Sequence, residues 1–421
     1  MTDQTSVADD RVGSDAPRAT TPDSLELDRT DPLAEHVAAF VPSTEVRAYL
    51  DGNSLGRPLL ATAERLQRFV THDWGSRLIR SWDEQWMTLP LELGDRIGAV
   101  CLGAAAEQTV VADSTTVLLY KTIRAAVAAR PDRTEIVIDD DDFPTDRFVV
   151  EGIAAECGLS VRWIAADPVT GVAVEQVEEA VSTSTAVVVL SHVAYRSGVI
   201  ADVPGITAAA HAVGALVLWD LCHSAGVVPT SLDAWDVDLA VGCTYKFLNG
   251  GPGSPAFAYA AERLQADLRQ PIQGWMGAAD VFSMADGYTP SPGMRRLVSG
   301  TPPVVGMLAM QDMLDLLERV GIDAVRAKSV ALTEHAIALV DDLLAPFGVV
   351  VSSPRDADVR GSHVTITHPA FREVTAALWA QDVIPDHRNP NGIRLGLSPL
   401  STTFAEVRLA VEAIRAELAW R

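Results

Sequence analysis

The sequence predicts an α/β protein: a large domain on a mostly parallel central sheet, and a smaller α+β domain completed by the N-terminal segment. Three observations carry this. Between about residues 95 and 265, short, continuous, β-branched runs alternate with stretches of helical period, as expected for strands covered on both faces. The pair Pro302-Pro303 breaks that pattern, and the elements beyond it follow a different rhythm. The chain has 421 residues and is 48% apolar, enough for two or three domains with a full core.

In chain order, residues 1 to about 30 are rich in Asp, Thr, Ser and Pro, which predicts a disordered tail. Residues 31–70 are expected to join the small domain. Within them, 49–58 reads as a strand running into a Gly-rich turn, and 60–71 as a helix with Leu66, Phe69 and Val70 on its apolar side. The large domain is expected over 71–310. Its candidate strands are 135–139, 161–164, 186–190, 216–219, 239–242 and 256–259, with helices over 117–129, 147–157, 174–181 and 204–213. This alternation implies right-handed crossovers between parallel strands. Ligands then gather at the strands' C-terminal ends. The small domain, 311–421, follows a long helical stretch around 304–343. It takes strands near 349–351, 363–367 and 393–397, and helices over 372–381 and 404–418.

The net charge of −23 opposes binding to nucleic acid or to an anionic membrane. It leaves open a small-molecule pocket with its own local field. Cys101, Cys157, Cys222 and Cys243 lie far apart without C-x-x-C spacing, which suggests neither a disulfide framework nor a metal site. The N-terminus lacks the basic and apolar regions of a secretory signal. No apolar run approaches the ~20 residues that cross a bilayer. A cytoplasmic location is expected.

Only three lysines occur in the chain, and Lys246 sits in its most legible stretch. Asp220 ends an apolar strand, His223 follows three residues later, and Lys246 closes the next strand-turn unit. Pyridoxal phosphate chemistry needs such a set: a lysine to hold the coenzyme as a Schiff base, and a carboxylate to keep its pyridine nitrogen protonated. Ser114-Thr115-Thr116 opens the helix near 117, and a hydroxyl-rich helix start suits a phosphate, although plain N-capping reads the same way. Phe143 is placed to cover a coenzyme ring or to sit in the core. The aspartates at 139–142 read as a solvated turn rather than a metal site. His223 stands between a cofactor contact and a structural histidine. Tyr245 and Lys246, as neighbours, share a site only if the turn bends.

Seven motifs follow one another in the chain: 49–56 (YLDGNSLG), 143–146 (FPTD), 219–226 (WDLCHSAG), 245–255 (YKFLNGGPGSP), 274–277 (GWMG), 300–303 (GTPP) and 389–397 (NPNGIRLGL). In this order they resemble kynureninase, a pyridoxal phosphate enzyme of the aminotransferase class V type with the fold type I architecture. The resemblance covers about residues 45 to 415. It implies that Lys246 holds the coenzyme, that Asp220 pairs with the ring nitrogen, and that His223 and Tyr245 contact the cofactor. It places Thr115 and Thr116 at the phosphate and Phe143 on the ring, with Asp146 and Ser191 nearby. Trp275 and Thr301 match positions that reach the neighbouring subunit's phosphate, which implies a homodimer with active sites at the interface. Arg394 matches the arginine that grips the substrate carboxylate, Trp82 an aromatic against the substrate ring, and Asn53 a further substrate contact. Cys222 stands where members commonly carry serine, a near-isosteric change expected to be silent.

The activity implied is hydrolysis of the Cβ–Cγ bond of L-kynurenine to anthranilate and L-alanine, with Lys246 and Tyr245 as proton carriers. Trp82, with Gly300 and Thr301, implies a preference for kynurenine over its 3-hydroxy derivative. The rival is another enzyme of the same fold. A cysteine desulfurase is disfavoured because no cysteine follows Cys243; an aminotransferase stays open.

Overall fold

The structure, a computed structural model, describes residues 23–421. The chain enters through α1 (Ser24–Thr30), β1 (Ala48–Leu50), α2 (Leu60–Arg68) and α3 (Leu89–Ile97). The large sheet is made from β2 (Thr109–Ala112), β3 (Glu135–Asp139), β4 (Ser160–Ile164), β5 (Thr185–Ser191), β6 (Leu216–Asp220), β7 (Leu239–Gly242) and β8 (Ala256–Ala260). Between its strands lie α4 (Thr115–Ala128), α5 (Pro144–Cys157), α6 (Val174–Ala180) and α7 (Val203–Ala212), and the short α8 (Glu262–Gln265) follows. Two helices, α9 (Leu308–Val320) and α10 (Ile322–Leu343), then lead to β9 (Val350–Val351), β10 (His363–Thr367), α11 (Phe371–Trp379), β11 (Val383–Arg388), β12 (Gly392–Gly396) and α12 (Phe404–Ala419).

The large sheet has the order β2-β8-β7-β6-β5-β3-β4. Strands β3 to β7 are parallel, while β8 runs antiparallel between β7 and β2. Successive residues of β5 show why these strands read as unbroken apolar runs. Val188 and Leu190 enter one core and Val187 and Val189 the other, because side chains alternate across a sheet covered on both faces. The second sheet, β1-β11-β12-β10-β9, takes its edge strand from the N-terminal segment, with β1 parallel to β11. Its core joins Leu50, Ile366, Ile393 and Val411. Helix α10 spans both cores, with Val325 in the first and Leu332 to Val340 in the second.

Three expectations need correction. The tail expected through residue 30 ends earlier: Ser24–Thr30 is a helix whose Ser24 hydroxyl bonds His335 at 2.9 Å, while Asp28 accepts from the first amides of α12. Those partners lie more than 300 residues away in sequence, so local composition could not reveal them. The remainder of the expected tail, residues 1–22, lies outside the described residues. The helix from 60 is α only to Arg68 and continues as a π turn over Phe69–Trp74. Phe69 is buried but Leu66 and Val70 are exposed, since α2 docks on α9 through Thr62 and Arg65 bonded to Asp312. The long helix near 304–343 is broken at Gly321, whose φ of 82° ends α9. Strand β11 went unread because Pro385 and the charged Asp386 and Arg388 disguise it. No helix among the described residues is long and apolar enough to cross a membrane.

Candidate active site

Three neighbouring parallel strands, β3, β5 and β6, end in Asp139, Ser191 and Asp220. Ser191 and Asp220 are register partners, so both stand at the C-terminal edge. The chain then turns sharply, and the Cys222 amide donates to the Asp220 carboxylate at 2.7 Å. Beyond β7, the loop carrying Lys246 is braced by Thr244, whose hydroxyl meets Ser254 at 2.7 Å and the Pro255 carbonyl at 2.6 Å. Gly56 closes over this loop. Its amide donates to the Tyr245 carbonyl at 2.9 Å, and a Cβ there would sit 2.3 Å from the Lys246 carbonyl oxygen. Motifs almost 190 residues apart in sequence are therefore in backbone contact.

Thr115, Thr116, Phe143, Asp146, Ser191, Asp220, His223, Tyr245 and Lys246 line one cleft. The Lys246 Nζ lies 3.0 Å from His223 Nε2 and 6.0 Å from the centre of the Phe143 ring. The turn does bend: the same Nζ is also 6.0 Å from the Tyr245 ring. Lys121 and Lys328 are each paired with a carboxylate, Asp113 and Asp31. Among the described residues Lys246 has no such partner. Its amine is the one available for covalent work.

Burial sets the electrostatics. Asp220, Asp142 and Asp146 are almost fully buried, and desolvation raises all three carboxyls above their usual range. Like charges nearby push Asp142 and Asp146 further. Asp139 is pushed up to about 7 by the same desolvation. The 139–142 segment is thus not a solvated turn, as its composition suggested. Asp139 and Asp142 are folded inward, and Asp142 accepts a 2.6 Å hydrogen bond from Ser191. His223 is held neutral by burial and by the Lys246 charge. Burial also raises the Tyr245 phenol, which keeps its proton.

Other expected residues lie elsewhere in the chain. Arg394 on β12 is 1% exposed, and donates to the Tyr195 carbonyl at 2.9 Å and the Ser54 hydroxyl at 2.8 Å, with Asp386 2.7 Å away. It adjoins the cleft through Tyr195, which lines it. Asn53 is fully buried against Gly396, with neither amide atom hydrogen-bonded among the described residues. Trp82 packs edge-on to Trp86, 5.3 Å between ring centres, away from the cleft. Trp275 and Thr301 are exposed and outside it.

Four participants escaped the sequence reading. Tyr195 meets Phe143 edge-on at 5.3 Å. His363, the first residue of β10, is fully buried 5.4 Å from the His223 ring, with neither ring nitrogen bonded among the described residues. Arg388 lies over the Tyr195 ring, and Asp142 joins Ser191. The 363–367 strand was legible, but nothing local to it pointed inward.

The cleft joins a carboxylate-free lysine amine, an aromatic face, a deeply buried carboxylate and a hydroxyl-rich helix start. Asp146 Oδ1 and His223 Nδ1 inside it lack hydrogen bonds among the described residues, so polar capacity remains for a ligand. Pyridoxal phosphate fits this set. The aminotransferase class-V family model matches residues 95–380, and the fold and site together define a pyridoxal phosphate-dependent enzyme of that class. The structure resembles apo cysteine desulfurase from Thermococcus onnurineus NA1, with a TM-score of 0.79 at 20% identity, covering 92% of this chain and 98% of that one. That likeness speaks for the fold. In sequence, the chain is 40% identical to kynureninase of Burkholderia mallei (strain SAVP1) over 95% of its own length and 96% of that protein's. It is 39% identical to kynureninase of Pseudomonas fluorescens over 93% and 94%. The chain belongs to the kynureninase family.

Proposed function

We propose that this cleft hydrolyses the Cβ–Cγ bond of L-kynurenine, releasing anthranilate and L-alanine, with the residues in the roles that follow. The observation that carries the reading is the unpaired Lys246 amine, 3.0 Å from a neutral His223 and in the same cleft as the buried Asp220. Lys246 would hold pyridoxal phosphate, Asp220 its ring nitrogen, Phe143 a ring face, and Thr115 and Thr116 its phosphate at the start of α4. The bound coenzyme supplies an electron sink for the pair left when the substrate's α-proton departs.

The remaining work belongs to the side chains. The raised proton affinity of Asp220 suits it to a cationic partner, whose charge offsets its desolvation. Once the substrate's amino group has taken its place, the freed and uncharged Lys246 amine can remove the α-proton, helped by His223, which stays neutral and can accept a hydrogen bond from it. Water then adds to the γ-carbonyl. Tyr245 keeps its proton and so can deliver one to the departing carbon fragment. Arg394 binds the substrate carboxylate through its planar fork. Release of fluorescent anthranilate from L-kynurenine by coenzyme-loaded protein, with alanine as co-product, tests this. A keto acid instead would mark an aminotransferase.

A homodimer belongs to the same proposal. Trp74, Leu78, Ile79, Phe282 and Met284 are large apolar side chains left exposed, and Trp275 and Thr301 stand outside their own cleft. In a dimer they would serve the partner's cleft. Mixing inactive Lys246→Ala with a weakened Thr301→Ala, Trp275→Ala variant should restore activity through hybrid dimers; no recovery would favour self-contained sites. Trp82 presents an aromatic face and Gly300 no side chain to hydrogen-bond a ring hydroxyl, so L-kynurenine should exceed 3-hydroxykynurenine about tenfold to a hundredfold in kcat/KM. Equal values would remove these positions from specificity.

A further inference from the structure

The start of α4 is preceded by a strained residue. Asp113 has φ of 45°, a left-handed conformation that costs an L-residue energy and that aspartate enters mainly where its side chain is held by a hydrogen-bonding partner. It follows directly on β2 and leads into Ser114, Thr115 and Thr116, the turn assigned above to phosphate. Its carbonyl accepts from the Ala256 amide at 3.0 Å, so the backbone is pinned to β8 on one side. Its carboxylate is gripped by Lys121, two turns further along α4.

Lys121 is fully buried, and burial lowers its proton affinity against the pull of Asp113. Its second partner is the Leu297 carbonyl at 2.7 Å. A fully buried ammonium needs such partners, and each fixes its position. One of the two is the strained residue itself. The other closes the 3-10 turn Gly293–Leu297, three residues before Gly300. We propose that Lys121 is a positioning residue for phosphate recognition: by holding the Asp113 carboxylate it keeps the backbone left-handed, which aims the Ser114–Thr116 turn and the first amides of α4 into the cleft. The inference rests on the reading that this turn takes the phosphate.

The test compares cofactor-free protein binding pyridoxal phosphate with the same protein binding pyridoxal, which lacks the phosphate, each followed by quenching of tryptophan fluorescence. Lys121→Met should weaken pyridoxal phosphate about 10- to 100-fold and leave pyridoxal within about twofold. A merely structural role would weaken both alike, and that result overturns the proposal, as does no change. Two double variants guard against misfolding, because each removes both charges together. Lys121→Met with Asp113→Gly should keep the preference for the phosphorylated ligand, since glycine adopts positive φ freely. Lys121→Met with Asp113→Ala should lose about tenfold of it, since alanine does not. Equal preference in the two doubles would sink the idea. Thr115→Ala and Thr116→Ala separate the two levels: if they reduce the preference but Lys121→Met does not, the positioning role fails and the phosphate assignment stands. If none of the three reduces it, both fail.

Discussion

The large-sheet and small-sheet walls that flank the cleft carry opposite electrostatics. On the large-sheet side Asp139, Asp142, Asp146 and Asp220 are buried at strand and helix ends, every one with its carboxyl raised by desolvation, and Lys246 is the cation among them. On the small-sheet side stand Arg394 and Arg388, with His363 held neutral beside them by burial and by the arginine charges. Burial and the Arg388 charge push Arg394 down to about 10 even though Asp386 pulls the other way. Each wall thus lacks the charge it would bind. A ligand set with a cationic ring at one end and a carboxylate at the other relieves both at once, and is oriented by doing so. The net charge of −23 hides this, because the sorting is by wall and not by chain.

The largest effect should come from Lys246 on the acidic wall. Lys246→Ala should abolish the visible absorbance of protein-bound coenzyme and cost more than about 10⁴-fold in kcat/KM. A label fixed by borohydride on Lys121 or Lys328 in the parent protein would break the assignment. The opposite wall is probed by Arg394→Ala, which should raise KM about 100-fold while leaving the coenzyme spectrum intact. Lysine at 394 should recover only part, since a point charge replaces a fork. A spectral change with unaltered KM would show that the walls are not separate in function.

The smallest effects are in stability, and their pH dependence should be opposite for the two walls. A carboxyl raised in the fold binds more protons folded than unfolded above the ordinary value, so stability falls as pH rises from about 4 through the folded value. Asp142→Asn should therefore raise the Tm of cofactor-free protein by about 2–4 °C at pH 8 and scarcely change it near pH 4. A histidine held neutral behaves in reverse. The unfolded chain takes the proton as pH drops below about 6.5, and stability is lost there. His363→Gln should be stabilising, relative to the parent, near pH 5 and silent at pH 8. The same pH dependence for both variants in calorimetry would refute the division.

How much of this was legible varies by residue. Six strands of the large sheet were read to within a residue or two because each is a short, largely apolar run, β-branched in β3 and β5, and β6 delivered Asp220 to the expected edge. Strand β2 went unread, and β11 was masked by its proline. Nine of the expected site residues came together in one cleft, and the turn at Lys246 bent as the shared site required. Composition misled at 139–142, where four aspartates suggested solvent and two are buried. It misled again at Ser24–Thr30, where polar content concealed a docked helix.

The amino-acid sequence by itself determined most strands of the large sheet, the strand that ends at Asp220, the loop that carries Lys246 and the hydroxyls that open α4. These depend on neighbours a few residues away, which local pattern records. Tertiary structure alone decided the charge state of the walls, the contact of His363 with His223, the engagement of Arg394 by Asp386 and Tyr195, and the tie from Lys121 to Leu297. The physical reason is that proton affinity and ion pairing depend on what surrounds a group in space. Desolvation accumulates over every packed neighbour, and Leu297 lies 176 residues from the lysine it binds.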